Sequence, residues 1–332
     1  MPSLLNFSYW HTCGSGIGIE KLKFYYNYFY SQSISNEEER FVLFERKSMP
    51  AEEYKNLESS LWDSSDKTLA KLNIHSEGTI EDGTNTLMVD FANEYIGGGC
   101  MGLAAVQEEI LFLIFPELLF CLMQFQIMDK HDNIVVKGVK RYSKYTGYAM
   151  GLKFDGLFDD EECTLGEDKV LKRTFTCIDS LYLADYQDQH FQFYKEKILR
   201  EINKAYIGFQ GSSEEQEQET KLAVSTGNWG CGAFAGNIEL KFLIQWMAAS
   251  VNGRDVEYYT FKDKNCKYLE DIHKICSNMK VGEVFKELIH HSQFLQAQID
   301  TDYSQDANGK INFTKGPKKF LLSSYLKSKY SV

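Results

Sequence analysis

Residues 87–115 read LMVDFANEYIGGGCMGLAAVQEEILFLIF, and the fold turns on them. Leu87-Met-Val-Asp-Phe-Ala92 is an apolar run of the length of a buried strand. Gly97-Gly98-Gly99 then forces a loop that only glycine tolerates easily. Leu103 to Phe115 reads as a helix, so the stretch is a strand–loop–helix unit. A second such unit lies downstream: strand Leu222–Ser225, the glycine-rich loop Thr226-Gly-Asn-Trp-Gly-Cys-Gly-Ala-Phe-Ala-Gly236, and a helix from Ile238 to Ser250.

Working outward, Asn133–Val139, Arg173–Asp179 and Val256–Phe261 read as further strands, and Phe41–Phe44 as a possible one. Helices are read over Ile19–Phe29, around Ala51–Ser59, and over Tyr194–Tyr206, Leu269–Met279 and Val281–Gln296. Residues 211–220 and 149–162 read as acidic loops, the first solvated and mobile. Strands alternating with helices predict an α/β layered fold around a mixed, largely buried sheet.

The chain has 332 residues, which at ~150 per domain allows two domains or one large α/β domain with an appendage. Hydrophobic residues at 43% and charged residues at 25% exclude disorder of the whole chain. The 36 basic against 47 acidic residues leave a net charge of −11, which argues against a generic nucleic-acid binder. An anion held by backbone amides stays open, because such sites need no basic side chain. Met1-Pro-Ser-Leu-Leu lacks the basic start of a secretory signal. Pro116-Glu117 breaks the apolar run Ile110–Met123, which is shorter than the ~20 residues of a spanning helix. The eight cysteines show no CxxC pair and the seven histidines no ligand spacing, so neither metal nor disulfide framework is expected.

Three segments carry chemistry. The loop Gly227–Gly236 joins a strand end to a helix start, where free N–H groups favour phosphate. It contains no lysine and matches neither GxxxxGK[ST] nor GxGxxG, so a diphosphate held by amides fits it, as does a tight structural turn. Glu108 and Glu109 precede an apolar helix about 100° apart, so the two should not be buried alike, and one should have a raised pKa. A general acid needs that; a solvated pair at a helix edge is the alternative. Tyr142, Tyr145 and Tyr148 recur every three residues, and with Phe91, Phe234 and Phe261 they offer flat faces for a purine or ribose, or simply core packing.

Taken together, Val89-Asp-Phe-Ala-Asn93, Gly97-Gly98-Gly99, Gln107-Glu108-Glu109, Tyr145-Thr-Gly-Tyr148 and Thr226–Phe234 resemble the poly(ADP-ribose) glycohydrolase family over roughly residues 69–279. The resemblance implies a macrodomain-like α/β/α sandwich (69–332) behind a short, mainly helical extension (1–68). It implies hydrolysis of ribose–ribose O-glycosidic bonds in poly(ADP-ribose), mainly from the free end, with ADP-ribose as product. By the same resemblance Glu109 is the acid and then the base, Glu108 holds ribose hydroxyls, and Asp90 and Asn93 end the preceding strand. Gln107 contacts the ligand, Phe91 packs beside the ribose, and Tyr148 lies over the ligand near the diphosphate. Asn228, Trp229, Gly230, Cys231, Gly232, Ala233 and Phe234 form the diphosphate loop, Phe261 stacks on adenine, and Ile80 and Glu81 meet the adenine edge. The implied partners are poly(ADP-ribose) and poly(ADP-ribosyl)ated proteins. No cofactor, membrane, or direct DNA or RNA contact is implied, and the expected state is a monomer in nucleus or cytoplasm. A macrodomain reader of ADP-ribose without turnover is the competing reading. The animal family carries a larger helical region before the core, and here about 70 residues precede it.

Overall fold

The structure, a computed structural model, describes residues 7, 10, 14–35, 39–83, 85–161, 163–183, 188–216, 221–305, 311–313 and 322–330. In chain order the strands are β1 (Leu43–Ser48), β2 (Leu72–His75), β3 (Thr86–Asp90), β4 (Asp132–Lys137), β5 (Ser143–Thr146), β6 (Lys153–Leu157), β7 (Thr174–Cys177), β8 (Ala223–Gly227), β9 (Val256–Tyr259), β10 (Tyr303–Gln305) and β11 (Ile311–Phe313). The longer helices are α1 (Gly16–Ile34), α2 (Ala51–Leu57), α3 (Gln107–Ile114), α4 (Lys195–Gly208), α5 (Ile238–Val251), α6 (Leu269–Cys276), α7 (Val281–Asp302) and α8 (Leu322–Tyr330).

Seven strands make the central sheet in the order β1-β4-β7-β3-β8-β9-β2. The run β7-β3-β8-β9-β2 is parallel, while β4 and β1 add antiparallel pairings at one edge. Every residue of β3 is buried, as a central parallel strand covered on both faces requires. Its side chains alternate between the two faces. Leu87 and Val89 pack in the core shared with α4 to α7, whereas Met88 packs in the core shared with α1 and α3. By the same alternation Asp90 points to the α3 face. Helix α3 is buried all round from Glu108 to Ile114, which an eight-residue helix of almost unbroken apolar sequence needs.

Several expectations change. The sheet runs across residue 68: β1 is its edge strand, and Ile17, Phe24 and Tyr25 of α1 share one core with Phe112 and Phe175. Residues 149–162, read as loop, contain β6, which pairs with β5 as a hairpin outside the main sheet. Strand β2 went unread, being four residues with a polar Asn73 inside. Of the acidic loop 211–220, residues 217–220 lie outside the described residues. Ser213–Gln216 form a helical turn docked on the sheet edge through Ser213 to Glu45 and Glu214 to Lys137.

Candidate functional site

Helix α3 starts at Gln107, four residues later than expected, and its first three side chains fold back onto the chain that precedes them. Gln107 accepts from the Phe91 N–H at 2.9 Å and donates to the Val89 carbonyl at 3.0 Å, extending the end of β3 like a further ladder rung. Glu108 accepts from the N–H groups of Asn93 (3.0 Å) and Gly97 (2.5 Å). Glu109 accepts from Gly99 (2.9 Å) and from Val106 (3.0 Å), the latter closing the free N–H before the helix. Gln107-Glu108-Glu109 thus fixes the path of the glycine loop. The loop must approach closely: a Cβ on Gly98 would lie 2.5 Å from Oε2 of Glu108, and one on Gly99 2.6 Å from Cβ of Ala104.

Both glutamates are buried, at 4% and 5% exposure, which corrects the expectation that neighbours on a helix could not be buried alike. That expectation assumed side chains radiating from a helix interior. Here both sit in the first turn and turn back to loop N–H groups, where the helix dipole also favours negative charge. Burial, Asp90 and Glu109 push Glu108 well above the usual carboxylate range, against the bonds from Asn93 and Gly97. Asp90 is fully buried. Burial, helped by the charge of Glu109, raises it to about 7, against a hydrogen bond from the Cys177 thiol. Behind the loop, the buried Lys21 of α1 donates to the carbonyls of Cys100 (3.1 Å) and Gly102 (3.0 Å).

The α3 start opens onto a cavity of about 430 Å³ at the C-terminal ends of β3, β8 and β9. Its other walls carry Ile80 and Glu81, the latter accepting from the Tyr145 hydroxyl at 2.5 Å. The half-exposed rings of Tyr148 and Phe261 lie 5.2 Å apart across the mouth. The Tyr148 hydroxyl is pushed up by burial and by the charge of Glu109, against a backbone contact at Gln107, which puts it close to the α3 start.

The second glycine loop closes the remaining side. Its amides split into two sets. Trp229, Cys231, Ala235 and Gly236 bond within the loop, while the N–H groups of Gly230, Gly232, Ala233 and Phe234 make no hydrogen bond among the described residues. Asn237 caps α5 by accepting from the Leu240 N–H at 2.9 Å, so the unspent donors belong to the loop rather than to the helix end. Asn228 is locked by the Tyr258 hydroxyl (3.0 Å) and the Thr260 carbonyl (3.2 Å).

Of the residues singled out from sequence, Ile80, Glu81, Phe91, Gln107, Glu108, Tyr148, Asn228, Gly230, Cys231, Gly232, Ala233, Phe234 and Phe261 line this one cavity. Asp90, Asn93, Gly97, Gly98, Gly99 and Glu109 form the layer directly behind it. Trp229 does not face it: the residue is fully buried, and its indole N–H donates to the Ile178 carbonyl at 3.0 Å. Sequence reading missed Ser180 and Tyr259, and it missed Lys21 and Lys241, which support the two glycine loops from inside. Tyr145, read as a flat face for a ligand, lines the cavity and gives its hydroxyl to Glu81.

A three-layer α/β domain with two glycine loops at the C-terminal edge of a parallel sheet, one backed by carboxylates and one presenting free amides, defines a nucleotide-type cleft. Residues 59–268 match the family model described as poly(ADP-ribose) glycohydrolase, macro domain fold. The chain is 32% identical over 295 residues to the probable poly(ADP-ribose) glycohydrolase 2 of Arabidopsis thaliana, covering 76% of this chain and 55% of that protein. It is 31% identical over 326 residues to poly(ADP-ribose) glycohydrolase 2 of Caenorhabditis elegans, covering 92% and 62%. Among solved structures, the Deinococcus radiodurans poly(ADP-ribose) glycohydrolase in complex with ADP-ribose aligns with a TM-score of 0.40 at 13% identity, over 68% of this chain and 94% of that one. The chain belongs to the poly(ADP-ribose) glycohydrolase family. It spans about half the length of the two plant relatives it matches. No helix among the described residues is long and apolar enough to cross a membrane.

Proposed function

We propose that this chain hydrolyses the ribose–ribose O-glycosidic bonds of poly(ADP-ribose), mainly from the free end, and releases ADP-ribose. The observation that carries the reading is the start of α3, where Glu108 and Glu109 are buried together at the edge of a cleft that presents four unspent amides on its other side. A cavity of about 430 Å³ is of the size that holds one nucleotide-like unit.

In this reading the adenine lies between Phe261 and the Ile80–Glu81 turn, the diphosphate on the amides of Gly230 to Phe234, and the terminal ribose against Phe91 and α3. The glycosidic C–O bond breaks through an oxocarbenium-like transition state. Glu109 gives its proton to the leaving ribose oxygen. It then takes one from the water that adds to the sugar carbon, which returns the enzyme to its starting state. Asp90 and Glu108 crowd the same buried space, and burial with the neighbouring carboxylates raises the pKa of both. Glu108 holds the ribose hydroxyls, and the diphosphate supplies nearby negative charge to the transition state. No carboxylate is assigned as nucleophile on the opposite face, so no glycosyl-enzyme is expected.

The test is radiolabelled poly(ADP-ribose) incubated with the parent and with Glu109→Gln. Free ADP-ribose from the parent, and a loss of about 10²- to 10⁴-fold in the variant, is the expected result for a general acid. Tight binding of ADP-ribose by both with release by neither would replace the reading with a non-hydrolysing reader.

A further inference from the structure

The second glycine loop carries no lysine or arginine, yet a cation lies directly behind it. Lys241 stands in the first turn of α5, where the helix dipole disfavours positive charge, and its side chain is 1% exposed. Its Nζ lies 3.9 Å from the Trp229 ring centroid. A Cβ on Gly230 would fall 3.2 Å from that nitrogen, and one on Gly236 3.3 Å from Cε of the same lysine. The ammonium therefore touches the inner surface of the loop whose outer surface holds the unspent amides.

Lys241 belongs to a buried network. It pairs with Glu201 of α4, Arg200 pairs with both Glu201 and Asp179, and Lys204 pairs with Asp179 at 2.6 Å. Within these pairs three cations meet two carboxylates; Asp132, which also acts on Lys204, is itself paired with Arg46. Uncompensated charge in a buried site is costly, and an anion across the loop would relieve it. Burial and Arg200 push the Lys241 ammonium well below its ordinary range, with Asp179 opposing them, and an anion beyond the loop would oppose them too.

We propose that Lys241 is a specificity-determining residue of the cleft: from beneath the loop its charge selects a diphosphate-bearing ligand over a neutral one, while the loop amides make the contacts. This rests on the ADP-ribose reading above. It also accounts for an amide-only phosphate loop in an acidic chain.

The test compares the full chain with Lys241→Met, in which Glu201 keeps its pair with Arg200, and with Lys241→Arg, which keeps the charge. ADP-ribose affinity is read by calorimetry and adenosine affinity by ligand-detected NMR. Lys241→Met should lose roughly 10- to 50-fold in ADP-ribose affinity and keep adenosine within about 2-fold, the scale of one charge interaction at an effective dielectric of ~20, while Lys241→Arg keeps both. Unchanged ADP-ribose affinity, or an equal loss of both ligands, overturns the proposal. A parent that binds adenosine but not ADP-ribose overturns the diphosphate reading itself and this inference with it.

Discussion

Gly98 is where the geometry of the carboxylate site is most exposed to a single methyl group. Its φ is +47°, in the left-handed region, where an alanine costs about 1 kcal/mol relative to glycine. The larger effect is contact. The added Cβ would stand 2.5 Å from Oε2 of Glu108 and 3.0 Å from Oε1 of Glu109, against the 3.4 Å at which ordinary contact begins. Glu108 would have to retreat by about 0.9 Å, and it has no slack: its two oxygens accept from Asn93 and Gly97, and the side chain is 4% exposed. A displacement of about 1 Å at a reacting site is worth on the order of 10² in rate. Gly98→Ala should therefore lower the rate of ADP-ribose release by roughly 10²-fold while costing only about 1–2 kcal/mol of stability, seen as a few degrees in a thermal melt. Gly16→Ala, where nothing lies within 4 Å of the added Cβ, serves as the benign control. A Gly98→Ala protein that turns over within threefold of the parent would refute the claim that the glycine triplet exists to admit these two carboxylates.

Three further outcomes follow from the same geometry. Asp90 binds its proton more tightly folded (about 7) than unfolded (about 4), so between those values the folded state holds more protons and stability falls as pH rises. Asp90→Asn should melt like the parent near pH 4 and above it at pH 7.5, by at most about 4 kcal/mol and less where the cluster titrates together; a variant less stable than the parent at pH 7.5 would contradict this. Lys21 is displaced the other way, to about 8, chiefly by burial, with Glu109 opposing. The unfolded chain keeps its proton to about 10.4, so Lys21 adds stability as pH rises from about 8 to about 10.4, and Lys21→Met should gain less over that window than the parent. Removing the Tyr145 hydroxyl leaves the buried Glu81 without that donor, and Tyr145→Phe should weaken ADP-ribose binding by roughly tenfold with little change in the rate of the bound state; an unchanged dissociation constant would separate Tyr145 from the Glu81 wall.

The parts legible in the sequence are those where one residue type has one physical use. The apolar run of β3, the glycine triplet and the loop from Gly227 to Gly236 could be read because buried strands and close backbone approaches leave few substitutes. Helix α3 was placed from Leu103, since Leu103 and Ala104 continue its apolar pattern; the hydrogen bonds that Gln107, Glu108 and Glu109 make to the preceding loop delay its start, and spacing alone does not show them. Strands β5 and β6 escaped because a peripheral hairpin with Gly156 at φ +93° buries too little to impose a strand pattern. Lys21 and Lys241 escaped for a different reason. Lys21 lies 79 residues from Cys100, and Lys241, though it follows its loop directly, stands in a helix, where a lysine ordinarily reads as solvated.

Net charge misleads in the same way, since −11 describes the whole chain while binding depends on where charge sits within one cleft. The cleft is divided. Glu81 and Glu108 lie on the walls built by α3 and the Ile80–Asp82 turn, with Asp90 and Glu109 directly behind, and the opposite side offers backbone N–H groups with Lys241 beneath them. Such a division orients a ligand as well as binding it. A nucleotide sugar entered the right way round sets its hydroxyls and base edge against carboxylates that accept hydrogen bonds, and its phosphates against donors. Reversed, it would set its phosphates against carboxyl oxygens and its hydroxyls against the loop donors, leaving the buried phosphates without donors. The energy that rejects the reversed pose comes from the same buried carboxylates that the proposed hydrolysis needs, so orientation and chemistry are set by one group of residues.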